Sequence, residues 1–191
     1  MTSPAAAQGR SPAAAQGAPR WFLFLGLAAA VVLVDQVTKA WLVALLEPGE
    51  RLSVSGDLVR ITHSQNSGAL FGLFKDQALL FGLVSIGVVG LIVWYHGSSG
   101  RNALMSLSLG LLLGGAIGNM VDRFRLGYVI DWVDIGIGDL RFYTFNVADS
   151  AITGAILLLI LAALLPIRSA RSARSARSAT DTAPSPEVVD V

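Results

Sequence analysis

The sequence predicts an all-α membrane protein: four transmembrane helices with a small β-rich extracytoplasmic (periplasmic) element and an interfacial segment. Three observations predict it. Of 191 residues, 53% are hydrophobic and only 14% charged, where a soluble domain carries about 25% charged. Four apolar stretches are each close to the roughly 20 residues that cross ~30 Å of hydrocarbon. Two stretches between them, 47–76 and 122–146, have a different grammar, with alternation, glycine, aromatics and aspartate.

Residues 1–20 contain "SPAAAQG" twice and have nothing to bury, so a disordered N-terminal tail is expected. Span one is "WFLFLGLAAAVVLVDQVTKAWLVALL", 21–46. It runs too far past Asp35 and Lys39 for the apolar core of a cleaved signal peptide. The segment that follows holds "RLSVS" and "DLVRITH" around an "SGD" turn, which reads as a short hairpin.

Span two, 77–96, ends at "HGSSG", read as a plain turn, and span three follows at 102–121. Gly110, Gly114, Gly115 and Gly118 give span three surfaces for close helix contact. The stretch 122–146 should be irregular, partly strand-like and interfacial. Span four is 147–166, which makes 21–166 one membrane domain. The tail 167–191 repeats "RSA" and is expected to be a disordered basic segment near anionic headgroups.

Four spans leave both ends on one side. Arg20 before span one and Arg168, Arg171, Arg174 and Arg177 after span four favour the cytoplasm for both termini. That orientation puts 47–76 and 122–146 on the outer face. A net charge of +1 argues against a nucleic-acid partner. The absence of cysteine excludes a thiol nucleophile and Cys-bound metal. With only His63 and His96, and no H-E-x-x-H, a zinc site is not expected, nor is any cofactor. Reading "HGSSG" as an intramembrane serine-protease motif fails because it occupies a short turn on the cytoplasmic side.

Chemistry has to come from ionisable residues in apolar surroundings, where each unpaired charge is costly. Asp35 and Lys39 stand at i,i+4 on one face of span one, suited to an ion pair that also holds other polar groups. Asp122 ends span three, Asp131 lies in "GYVIDW", and Asp149 opens span four behind Asn146. If spans three and four are antiparallel neighbours, two or three of these carboxylates meet at the bilayer surface. Adjacent carboxylates share a proton, and a diacid pair can then activate water and polarise a carbonyl without metal. The alternative is that the acids cap helices or pair with Arg123, Arg125 and Arg141. Pattern alone leaves open whether Asp122 or Asp131 joins Asp149.

In this order "DQVTKAWL" (35–42), "NSGALFG" (66–72), "GGAIGNMVDRFRLGYVIDWVDI" (114–135) and "FNVADSAI" (145–152) together resemble the lipoprotein signal peptidase family, the type II signal peptidases of bacteria. The resemblance spans roughly 21–166. It implies an aspartyl endopeptidase of the inner (cytoplasmic) membrane that removes signal peptides from prolipoproteins, cutting before a cysteine that already carries diacylglycerol. It also implies a catalytic pair at Asp131 and Asp149. Asp35, Lys39, Asn66, Asn119, Asp122, Arg123 and Asn146 then become supporting or substrate-binding. The implied partners are lipidated prolipoproteins and membrane lipids; separately, a monomer is expected. The segments 47–76 and 122–146 are expected to clamp substrate, with Phe71 and Trp132 as test positions. Two rivals remain: a proton relay through Asp35, Lys39, Asp131 and Asp149 in a transporter, and a lipid-binding scaffold in which Asp149→Asn would be silent.

Overall fold

A computed structural model describes residues 18–68, 77–100 and 102–164. Residues 1–17 of the expected N-terminal tail (1–20), the whole expected C-terminal tail (167–191), the last two residues of expected span four and Phe71 lie outside the described residues. Contacts divide the chain into Met1–Leu159 and Ile160–Val191. The architecture below is that of the first unit; the described part of the second is the final stretch of a helix, 160–164.

The helices are α1 (Trp21–Leu45), α2 (Ala78–Ser99), α3 (Ala103–Leu126) and α4 (Val147–Leu164). All four are long and apolar enough to cross a membrane, and the chain is a multi-pass membrane protein. Large apolar side chains such as Phe22, Leu33, Leu79, Trp94 and Leu157 lie on the outside of the helices, as hydrocarbon solvent allows.

Among the described residues α3 is the central helix, packed against both α1 and α2. Phe24 and Ala28 of α1, Ile92 of α2, and Leu109 and Leu113 of α3 form the core between them. Glycine sets the spacing. A Cβ on Gly114 would lie 2.8 Å from the Ala28 carbonyl oxygen. On Gly118 it would lie 2.7 Å from Asp35 Oδ2. Without a hydrophobic drive inside lipid, such backbone approach is what lets helices associate tightly.

The strands are β1 (Arg51–Ser55), β2 (Val59–Asn66), β3 (Val129–Ile137) and β4 (Leu140–Arg141), in the order β1-β2-β3-β4. The expected hairpin is present as β1 and β2, antiparallel, with Gly56 at φ +53 in its turn.

Three boundaries differ from the sequence reading. Span three continues to Leu126, where Gly127 caps it at φ +78, so Asp122 lies inside a helix. The stretch expected to be irregular and partly strand-like is more regular than that: it holds the nine-residue strand β3, which pairs antiparallel with β2. Finally, 96–99 is the last turn of α2, with Gly100 as its cap. His96 keeps that turn helical. It is buried, stacks on Phe24 with ring centroids 4.0 Å apart, and meets Ser106 Oγ at 3.1 Å.

Candidate active site

Strand β3 and the start of α4 are tied together by backbone. Val133 N donates to Phe145 O at 2.8 Å, and Phe145 N returns a bond to Val133 O at 3.1 Å. This pairing holds Asn146 beside Asp131. Asn146 also caps α4: Asp149 N donates to Asn146 Oδ1 at 2.9 Å, and Asn146 N donates to Asp149 Oδ2 at 3.2 Å. That reciprocal pair is a capping box with Asn and Asp in place of Ser and Glu. It satisfies orphan helix-end donors and fixes the Asp149 carboxylate in one pose.

Asn146 has a side-chain amide left over, and it is fully buried. Its Nδ2 donates to Asp131 Oδ1 at 2.8 Å, with longer contacts to Asn119 Oδ1 (3.1 Å) and Ile130 O (3.3 Å). One residue therefore holds both aspartates. The second oxygen of Asp131 accepts from Asn66 Nδ2 at 3.1 Å. Asn66 reaches it because Asp131 pairs with Ser64, two residues earlier on β2. The second oxygen of Asp149 accepts from Asn119 Nδ2 at 2.8 Å.

Beneath the aspartates lies a buried charge cluster. Lys39 Nζ is 2.8 Å from Asp35 Oδ2, 2.8 Å from Asp122 Oδ2 and 3.2 Å from Asn119 Oδ1. Asp35 Oδ1 accepts Ala148 N at 3.0 Å, and Asp122 Oδ2 accepts Ile130 N at 3.2 Å. With Gln36 Nε2 on Asp122 Oδ1, every oxygen of these two acids is occupied, the condition under which buried charge is tolerable. Asp122 is thereby bound to Lys39, which leaves Asp131 beside Asp149.

Gln36 was not among the residues the sequence singled out. Its Nε2 donates to Asp122 Oδ1 at 2.9 Å, with longer contacts to Asp35 Oδ2 and Gly118 O. A polar amide next to Asp35 inside an apolar span was the available signal. Arg123 stands at the margin, donating through Nη1 to Asn119 O at 3.2 Å and lying 5.9 Å from the Phe81 ring centroid. Its Nε is buried with no hydrogen-bond partner among the described residues. Trp132 meets Trp41 edge-on at 6.5 Å, linking β3 to α1. Of the alternative reading, the capping role describes Asp149 at the start of α4; the Arg141 ion pair at 3.0 Å is with Asp134, outside the three candidate acids.

The electrostatics separate Asp131 from an ordinary surface acid. It is 2% exposed, and its pKa is raised to about 7, first by burial and next by the negative charge of Asp149. Hydrogen bonds from Asn66 and Asn146, and the charge of Lys39, oppose the shift without cancelling it. At neutral pH a proton therefore resides on Asp131 much of the time. A cavity of about 130 Å³ opens against it, bordered by Ser64, Asn66, Gly68 and Tyr143, with room for several waters. A buried proton donor, a second carboxylate held by the same asparagine, and a place for water are the components of diacid hydrolysis.

Comparison with known proteins shows the family of the chain. The family model for signal peptidase II (Peptidase_A8) matches residues 27–165. The chain is 42% identical over 142 residues to a lipoprotein signal peptidase of Syntrophomonas wolfei, covering 74% of this chain and 93% of that one. It is 39% identical over 144 residues to the lipoprotein signal peptidase of Geobacillus thermodenitrificans, covering 75% and 90%. A solved structure described as a bacterial membrane enzyme, at 2.3 Å resolution, superposes with a TM-score of 0.71 at 27% identity, covering 90% of this chain and 98% of that one. A second, at 1.9 Å, does so with a TM-score of 0.71 at 30% identity, covering 79% and 98%.

Proposed function

Because this chain belongs to the signal peptidase II family of membrane peptidases, we propose that it removes signal peptides from diacylglyceryl-modified prolipoproteins, with Asp131 and Asp149 as its catalytic pair. The cut falls before the lipidated cysteine. The observation that carries the reading is the double hold of Asn146 on the two aspartates.

Ionised Asp149 takes a proton from water while protonated Asp131 donates a hydrogen bond to the scissile carbonyl. The water oxygen bonds to the carbonyl carbon, and the tetrahedral intermediate collapses with cleavage of the C–N bond. The proton held by Asp149 passes to the departing cysteine nitrogen, so Asp149 serves first as base and then as acid while Asp131 keeps its proton. Asn66, Asn119 and Asn146 fix the two carboxyls, and Lys39, Asp35 and Asp122 hold Asn119 and the start of α4. Asp122 and Arg123 are supporting residues here. The enzyme acts as a monomer in the bacterial cytoplasmic membrane, with both termini in the cytoplasm and the sheet outside.

The test is signal-peptide release from a diacylglyceryl-modified prolipoprotein by purified wild type and the Asp122→Asn, Asp131→Asn and Asp149→Asn variants. Loss of at least about 10³-fold in the Asp131 and Asp149 variants, with folding retained, is expected for removal of an essential acid or base. Cleavage surviving in either variant would overturn the mechanism.

A further inference from the structure

Ile130, the residue before Asp131, is held by two residues of the site. Its N–H donates to Asp122 Oδ2 at 3.2 Å, and its carbonyl accepts from Asn146 Nδ2 at 3.3 Å. The place of Asp131 on β3 therefore depends on how the Asp122 carboxylate is turned. That turn has little preference of its own, because the last torsion of an aspartate is broad. Asp122 Oδ2 also lies 2.8 Å from Lys39 Nζ, whose full charge pulls harder than the neutral N–H of Ile130. The other oxygen resists that pull: Asp122 Oδ1 accepts from Gln36 Nε2 at 2.9 Å.

The Gln36 amide has one workable orientation. Asp122 Oδ1, Asp35 Oδ2 and Gly118 O, at 2.9, 3.2 and 3.3 Å, can only accept, so the NH2 end faces them. Its oxygen end accepts from Arg125 Nη1 at 3.4 Å. Gln36 is half-buried where α1 meets α3, a place where hydrocarbon offers no replacement donor once the amide is gone.

We infer that Gln36 is a positioning residue for the reaction: it sets the turn of Asp122, Asp122 sets Ile130, and Ile130 sets where β3 presents Asp131. The inference rests on the peptidase reading above, with Asp131 in the catalytic pair. Among the described residues Gln36 bonds to neither Asp131 nor Asp149, so its effect passes through Asp122.

The experiment compares full-length wild type, Gln36→Met and Gln36→Glu on a diacylglyceryl-modified prolipoprotein, per mole of folded enzyme, from roughly pH 5 to pH 9. Methionine matches glutamine in length but cannot donate. Its kcat should fall about tenfold with KM unchanged, as a small misplacement of a reacting group allows. In Gln36→Glu the new carboxyl would face Asp35, Lys39, Asp122 and Arg125. Protonated, it donates to Asp122 Oδ1 as the amide does; ionised, it cannot. The ratio of its kcat to that of wild type should therefore stay close to unity at the acid end and drop about tenfold toward the alkaline end. A loss of stability alone would not produce that rescue. If Gln36→Met fails to fold, the Gln36→Glu ratio decides alone. Wild-type kcat in Gln36→Met, or a Gln36→Glu ratio that does not change with pH, would overturn the positioning role and leave the peptidase reading standing. Failure of folded wild type to cleave would overturn both.

Discussion

Asp35 Oδ1 accepts the backbone N–H of Ala148 at 3.0 Å, across 113 residues of sequence. A side chain in the middle of α1 therefore fixes the first turn of α4, the turn that carries Asp149. The other oxygen of Asp35 binds Lys39. The i,i+4 pair is consequently a positioning device for the candidate site as well as a neutralised charge.

Replacing Asn146 should separate stability from turnover. Asn146→Ser keeps an oxygen able to accept Asp149 N but loses the amide that donates to Asp131. Stability should fall by about 1 kcal/mol or less, while kcat falls at least tenfold. Asn146→Ala removes both functions and should add a capping loss of about 1 kcal/mol. Thermal unfolding and initial rates on the same preparations check this.

Lys39→Met should be strongly destabilising. It leaves Asp35 and Asp122 buried without their shared cation, and breaking a buried pair costs about 3–5 kcal/mol. Adding Asp122→Asn should recover part of the loss, since one stranded charge is removed. Denaturation midpoints of the single and double variants decide it.

Asp131 makes a signed prediction about pH. Its folded pKa of about 7 stands above its ordinary 3.8, so the folded state binds the proton more tightly. Its contribution to stability is fully present below about 3.8 and is lost as pH rises to about 7, at up to about 1.4 kcal/mol per unit. Between pH 4 and 7 the melting temperature of wild type should therefore decline relative to that of Asp131→Asn. Turnover should fall above pH 7 as Asp131 loses its proton. Parallel melting curves would remove Asp131 as the proton holder.

Gly118→Ala should damage activity through spacing. The added Cβ would lie 2.7 Å from Asp35 Oδ2 and 3.3 Å from Ala148 Cβ, so α1, α3 and α4 must shift apart. A stability loss of about 1–3 kcal/mol is expected for such overpacking, with more than tenfold lower turnover. Gly154→Ala, where nothing lies within 4 Å of the new Cβ, serves as the control.

Local patterns made much of the fold legible. Apolar length gave four spans, and alternation around "SGD" gave the β1–β2 hairpin. The pairing of β2 with β3 was not legible, because register between segments 63 or more residues apart is set by tertiary packing and not by local propensity. The turn expected at 96–100 is helical through Ser99, where His96 stacks on Phe24 of α1, distant in sequence, and meets Ser106 of α3. At the candidate site, residue types alone left Asp122 and Asp131 as alternatives. The family resemblance chose Asp131, and the hold of Lys39 and Gln36 on Asp122 supports that choice. Gln36 went unnoticed because a single amide carries no charge to flag it.

The small hollow against Asp131 changes how such an enzyme meets its second substrate, water. Hydrocarbon holds almost none, yet in the proposed reaction the scissile bond belongs to a chain anchored by acyl groups and an apolar helix. A 130 Å³ recess lined by Ser64, Asn66, Ser67 and Tyr143 offers that reaction a polar place for water beside Asp131, set by the protein's own side chains. Changing bilayer thickness or headgroup should then alter how readily the lipidated chain arrives, and leave the hydrolytic step itself untouched.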